Sequence, residues 1–182
     1  MNPLVTRRTF LKTATAASAL AFPAVLRSQP AGTPSPNNRL NVAIIGAGGR
    51  GGAAVQGMKD ENVVAICDVD ADRAGAALKS FAEKYSDEAK RQEGTARFND
   101  YRKMFAQLGN KIDAVTISTP DHTHFPAAMT AMALGKHVYV EKPLAHTVWE
   151  TRELTRMARE KKVITQMGNQ GHAGEGCRIL RE

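Results

Sequence analysis

The sequence predicts an α/β fold, a doubly wound parallel sheet with helices on both faces. Short segments that are apolar on both faces recur between stretches of helical periodicity. A glycine-rich turn follows the first of them directly. Polar turns follow the later ones, at the strand ends where open α/β sheets bind ligands.

Leu40–Gly46 (LNVAIIG) reads as the first buried strand, and Gly49–Met58 as the helix after it. Val63–Asp68 (VVAICD) is the second strand. Asp70 is placed to cap a helix in which Ala74, Leu78, Phe81, Ala82 and Tyr85 fall at helical spacing. Ala96–Phe98 is a short strand, Tyr101–Leu108 a short helix, and Ala114–Ser118 (AVTIS) the fourth strand. Pro126 is expected to open the next helix and Gly135 to close it. His137–Val140 is the fifth strand. Thr147, with Glu150 three residues on, forms a capping box for a helix over Val148–Lys161. Val163–Gln166 is the last strand, and a further helix starts at Glu175. Right-handed crossovers between these strands give the doubly wound arrangement.

Composition removes several classes of function. With 42% hydrophobic and 24% charged residues, the 182-residue chain has ordinary globular proportions, which excludes bulk disorder. No apolar run reaches the ~18–20 residues that a membrane-spanning helix needs. Cys67 and Cys177 are too few for a disulfide scaffold or a four-cysteine zinc site, and they are not expected to pair. The formal net charge is +7. Arg7, Arg8, Lys12 and Arg27 stand in the first 38 residues without an acid among them; later charges of both signs are interspersed. Without a concentrated basic patch, no nucleic-acid partner is expected.

Residues 1–38 read as an address and a linker. Thr6–Lys12 followed by the small-residue stretch Thr13–Leu26 has the form of a signal peptide. Arg7-Arg8 with Phe10-Leu11-Lys12 resembles a twin-arginine signal; an amphipathic terminal helix is the plain alternative. Pro30–Asn38 is the linker. The expected location is therefore outside the cytoplasm, periplasmic or at the cell envelope. That export route carries folded cargo, which agrees with a tightly held cofactor.

Gly46, Gly48 and Gly51 satisfy G-x-G-x-x-G between a strand and a helix, the context that gives this pattern meaning. Gly46 permits the tight turn, Gly48 lets backbone approach a pyrophosphate, and Gly51 lets the helix pack close to the strand. Asp68 ends the second strand, where a carboxylate accepts hydrogen bonds from a ribose diol and repels a 2′-phosphate. NAD is therefore expected over NADP, with Arg50 and Arg73 as nearby cations acting against that preference. The plain alternative for Asp68 is a loop or capping carboxylate. Three further polar segments follow strands: Thr119–His124 (TPDHTH), Glu141-Lys142-Pro143, and Met167–His172 (MGNQGH). Asp121, His122, His124 and His172 also offer a competing reading as zinc ligands of a hydrolase.

The glycine-rich turn, the T-P-x-x-x-H stretch ending at His124, and Glu141-Lys142-Pro143 after Val138-Tyr139-Val140 together resemble the Gfo/Idh/MocA oxidoreductases, over about residues 39–175. The resemblance implies a Rossmann domain, NAD(H) or NADP(H) as cofactor, and hydride transfer to or from a sugar- or cyclitol-type hydroxyl. It implies that Gly46, Gly48, Gly49, Arg50 and Gly51 line the pyrophosphate and that Asp68 holds the adenosine ribose. Thr119, Pro120 and His124 would line the nicotinamide end, with Glu141 at the nicotinamide ribose. Lys142 would reach the reacting carbon–oxygen centre, beside a Pro143 that is a candidate for a cis bond. An ammonium there can hydrogen-bond a substrate hydroxyl and stabilise negative charge growing on its oxygen. Asp121 replaces the asparagine common in the family, and Gly168–His172 departs from its sugar dehydrogenases.

The family carries a second α/β domain, which supplies much of the substrate pocket and usually a histidine general base. That domain is expected to be absent from this chain, with residues 176–182 as its start. The full-length protein is expected to form homo-oligomers. Two alternatives stay open: an exported glycosidase of the same superfamily that keeps NAD bound, and a nucleotide-binding module without catalysis. Trp149 is expected to serve packing or an interface, and His137 and His146 structure.

Overall fold

The computed structural model describes residues 38–180. The leader and most of the linker expected in the first 38 residues lie outside the described residues, as do the last two residues.

Six strands form one sheet: β1 (Asn41–Ile45), β2 (Asn62–Cys67), β3 (Ala96–Phe98), β4 (Ala114–Ile117), β5 (His137–Glu141) and β6 (Thr165–Gly168). All pairings are parallel, and the order is β3-β2-β1-β4-β5-β6. Parallel neighbours need crossovers, and helices supply them: α1 (Gly51–Gly57), α2 (Ala71–Lys84), α3 (Ser86–Arg91), α4 (Tyr101–Leu108), α5 (His124–Ala133) and α6 (Val148–Lys161). A short helix α7 (Glu175–Ile179) follows β6.

The period-2 alternation of β1 divides the core. Ala43 and Ile45 face one side, where α4, α5 and α6 contribute Met104, Phe105, Ala128, Met132 and Leu154. Ile44 faces the other, against Val55 of α1 and Ala74 and Phe81 of α2. This two-sided burial explains why β1 reads as a continuous apolar run.

The expected caps form. Asp70 accepts from the Asp72 and Arg73 N–H groups at the start of α2. Thr147 and Glu150 make the reciprocal capping box of α6. Gly135 ends α5 in a left-handed conformation at φ 73°. Trp149 is 63% exposed and meets the Phe125 ring at 5.6 Å between centroids.

Three expectations are corrected. β6 lies two residues later than the expected Val163–Gln166. Lys162 turns left-handed at φ 54° and the Val163 N–H closes α6 onto the Ala158 carbonyl, so the strand cannot begin there. Helix α5 begins at His124, after a 3₁₀ turn over Asp121–Thr123, rather than at Pro126. Pro126 still falls in the first turn, where its missing N–H has no intrahelical partner to lose. The sequence gives no sign of helix α3; Tyr85 leaves helical geometry at φ −133° and a new helix starts after it.

Candidate functional site

The chain runs outward from β1 through β2 to β3, then returns to build β4 on the other side of β1. Such a reversal opens a crevice at the carboxyl ends of the two central strands. A cleft of about 400 Å³ lies there, lined by Gly46 and Gly48 after β1, Asp68 and Arg73 after β2, and Ser118, Thr119 and Pro120 after β4. Residues far apart in sequence thus meet at one edge.

The turn after β1 is shaped by lack of room. Gly46 is left-handed at φ 82°, and a Cβ there would stand 2.6 Å from the Ser118 carbonyl oxygen. A Cβ on Gly51 would overlap the Gly46 carbonyl oxygen, so α1 approaches β1 this closely only without a side chain. Gly49, by contrast, faces open space. A Cβ on Gly48 would meet the Arg73 side chain, whose Cδ is 2.7 Å away.

Asp68 ties this turn to the next. Its Oδ2 accepts from the Ala47 N–H at 2.8 Å and the Gly48 N–H at 3.2 Å. Its Oδ1 accepts from the Asp70 N–H at 3.0 Å. Each carboxylate oxygen can accept two bonds, so Oδ1 retains one acceptor position. The helix-capping role belongs to Asp70, which also pairs with Arg73 at 3.2 Å. Beneath the cleft, burial first, with the Asp100 and Asp68 charges, pushes the Cys67 thiol up to about 12, which leaves it an unreactive core group.

At β5 the Glu141 carboxylate is buried, its side chain 8% exposed. Oε1 accepts from Arg50 Nε at 3.1 Å and from Gln170 Nε2 at 2.6 Å. Oε2 accepts from the Lys142 N–H at 3.2 Å. Burial alone would raise this carboxyl, but the bonds from Gln170, Arg50 and Lys142 N–H outweigh it and hold Glu141 below its ordinary range.

The Lys142–Pro143 bond is cis. Lys142 is exposed and lines a second cavity, about 530 Å³, with Pro143, Met167, Asn169 and His172 among others. His124 sits elsewhere than on the cleft wall. It is 1% exposed, with Nδ1 2.7 Å from the Pro143 carbonyl oxygen and Nε2 2.8 Å from that of Thr119. The expected lining residue is a brace between the turns after β4 and β5. Both ring nitrogens of His124 face carbonyl oxygens, so neither is open to a metal, which removes a ligand from the zinc reading.

The structure therefore brings Gly46, Gly48, Asp68, Thr119 and Pro120 into one cleft and joins Arg50 to Glu141 at its side. Gly49 and Gly51 shape the turn itself. Sequence reasoning missed Ser118 and Gln170. Ser118 had a signal, since it directly precedes Thr119-Pro120 at a strand end. Gln170 had none beyond its place in a polar turn.

Two features show that the cleft fits a dinucleotide. A Cβ at Gly46 or Gly51 would collide with backbone, so glycine at both positions lets the chain turn tightly from β1 into α1 beside the cleft, the turn a pyrophosphate needs. Ser118 Oγ and Thr119 Oγ1 are buried and lack hydrogen-bond partners among the described residues. Such groups ordinarily find one, and a ligand in the cleft would supply it.

Comparison with known proteins agrees. A family described as an oxidoreductase family with an NAD-binding Rossmann fold, Gfo/Idh/MocA, matches residues 40–169. A glycosyl hydrolase family 109 protein of Streptomyces niveus is 33% identical over 78% of this chain and 29% of its own. An oxidoreductase of Synechocystis is 34% identical over 72% of this chain and 32% of its own. The solved UDP-N-acetylglucosamine 3-dehydrogenase GnnA of Acidithiobacillus ferrooxidans superposes with a TM-score of 0.63 at 26% identity, covering 79% of this chain and 41% of that one. The chain spans well under half the length of these relatives. The matched residues hold the glycine turn, Asp68, Thr119–His124 and Glu141–Pro143, and by them the chain belongs to the Gfo/Idh/MocA oxidoreductase family, as its NAD-binding Rossmann domain.

Proposed function

We propose that this chain is the cofactor-holding part of an oxidoreductase that moves hydride between NAD(H) and a hydroxyl of a sugar-type substrate. The observation that carries the reading is the cleft at the β1/β4 reversal, where the glycine turn, the strand-end carboxylate of Asp68 and the Ser118–Pro120 segment line one space. The bound nicotinamide supplies the hydride chemistry. Gly46–Gly51 accommodates the pyrophosphate, and Asp68 Oδ1 accepts from the adenosine ribose with its remaining acceptor position. Glu141 Oε2, which also has one position left, accepts from the nicotinamide ribose. Lys142, exposed beside the second cavity, donates to the substrate oxygen and steadies the charge that forms on it. The proton acceptor belongs to a further domain of the longer protein.

The name of the Acidithiobacillus relative supports a sugar nucleotide as one form of substrate. The Streptomyces relative favours a second reading, an NAD-retaining glycosidase. Incubating the enzyme with NAD and candidate sugars separates them: accumulating NADH marks a dehydrogenase, and sugar release without net NADH a glycosidase. Lys142→Ala should lower turnover about 100-fold, the scale for losing one donor to a developing oxyanion, while NADH binding stays within twofold. Unaltered turnover removes Lys142 from the mechanism. NADH binding without turnover by the full-length protein would leave a nucleotide-binding module.

Export by a twin-arginine leader around Arg7-Arg8 completes the proposal, with assembly as a homo-oligomer. An Arg7→Lys, Arg8→Lys chain retained in the cytoplasm would support the export route; unchanged export would refute it.

A further inference from the structure

We propose that Gln170, in the turn after β6, is a positioning residue for the nicotinamide half of the site, acting by orienting the Glu141 carboxylate. The proposal rests on the reading of Glu141 as the group that meets the nicotinamide ribose. Gln170 Nε2 lies 2.6 Å from Glu141 Oε1 and 2.8 Å from the Tyr139 hydroxyl oxygen, so one amide spans two side chains of β5. Arg50 occupies the other acceptor position of Oε1, and the Lys142 N–H takes one position on Oε2. The oxygen left with an open acceptor is therefore Oε2, and Gln170 helps to determine that.

The neighbouring backbone is built around this contact. A Cβ on Gly168 would stand 2.6 Å from the Tyr139 hydroxyl and 2.9 Å from Glu141 Cδ. A side chain at the end of β6 would push the tyrosine hydroxyl and the carboxylate away from where they meet the Gln170 amide. Arg50 belongs to the glycine turn and its side chain is 54% exposed, so a bound pyrophosphate competes with Glu141 for its guanidinium. When Arg50 turns to the phosphate, Gln170 and the Lys142 N–H keep the carboxylate in place.

The test is calorimetric titration of the full chain with NADH and, separately, with ADP, which carries adenosine and the diphosphate but no second ribose. Gln170→Met keeps the length of the side chain and removes the donor; Gln170→Ala removes both. Gln170 is exposed, so neither change opens the core. Both variants should weaken NADH about tenfold, the scale of one hydrogen bond to a charged group, and leave ADP within twofold. In the Glu141→Gln background, Gln170→Met should add less than twofold, because the two residues act as one unit. Carboxyl NMR of Gln170→Met should show the Glu141 titration moved upward. The proposal is overturned if Gln170→Met binds NADH like the parent, or if NADH and ADP weaken together. If Glu141→Gln weakens NADH while Gln170→Met does not, only the positioning role fails. If Glu141→Gln leaves NADH unchanged, the reading of Glu141 itself has failed.

Discussion

The β1–β2 and β5–β6 parts of the strand-end edge each hold a carboxylate, by different means. Asp68 is held by backbone N–H groups of Ala47, Gly48 and Asp70, at most 21 residues away. Glu141 is held chiefly by side chains, Arg50 from 91 residues away and Gln170 from 29. Backbone donors are the same whatever residue supplies them, so the first arrangement tolerates change in neighbouring side chains. Side-chain donors can be lost one at a time. A single substitution can therefore undo the β5–β6 arrangement more readily than the β1–β2 one.

The contrast is broken most forcefully at Gly51. Gly51→Ala forces a Cβ onto the Gly46 carbonyl, and relief requires α1 to move off β1. The expected loss is about 3 kcal/mol, the upper end for overpacking, read from the urea midpoint. A loss below about 1 kcal/mol would mean that the glycine turn is not backbone-limited.

Asp68→Ala comes next. It strands the Ala47 and Gly48 N–H groups and should cost about 2 kcal/mol, since bonds to a charged acceptor are among the stronger ones. It should also raise affinity for NADPH relative to NADH, checked by parallel titrations. An unmoved ratio would assign Asp68 to turn structure alone.

The smallest effect sharpens the comparison on the other side. Glu141→Gln should cost about 1 kcal/mol near neutral pH, because its Arg50 partner is half exposed and screened by solvent. The folded-state carboxyl is held below its unfolded value, so its contribution is present above the ordinary carboxylate range. It is lost as pH falls through the lowered folded value. The stability gap between the parent chain and Glu141→Gln should therefore close on acidification, followed by thermal melts at stepped pH. A gap that widens toward acid would contradict the bonding assigned to Oε1 and Oε2.

Much of the fold was legible because it rests on local signals. The runs NVAII and VVAIC are buried on both faces and appear so in sequence. Asp70, Thr147 with Glu150, and Gly135 carry cap chemistry within a few residues of where it acts. The sequence puts β6 two residues early because Thr165-Gln166-Met167-Gly168 has little strand character of its own; pairing with Val138–Glu141 makes it a strand. Helix α3 escaped for a similar reason, since no apolar periodicity marks Ser86–Arg91.

The candidate site divides in the same way. Gly46, Gly48 and Asp68 follow a spacing that implies their meeting, and Thr119 and Pro120 sit at the end of a recognisable strand. His124 looked like another member of that wall. Its place was settled by where the turn after β5 passes, which sets the Pro143 carbonyl 2.7 Å from its ring.

The burial of the central strands, the glycine turn and the helix caps follow from the chain's own composition and spacing, because each depends on residues within one or two elements. The partnership of Arg50, Glu141 and Gln170, the bracing role of His124 and the register of β6 do not. Each joins segments that approach one another only after the sheet has assembled, and a side chain's partner across that distance is decided by packing rather than by anything written beside it.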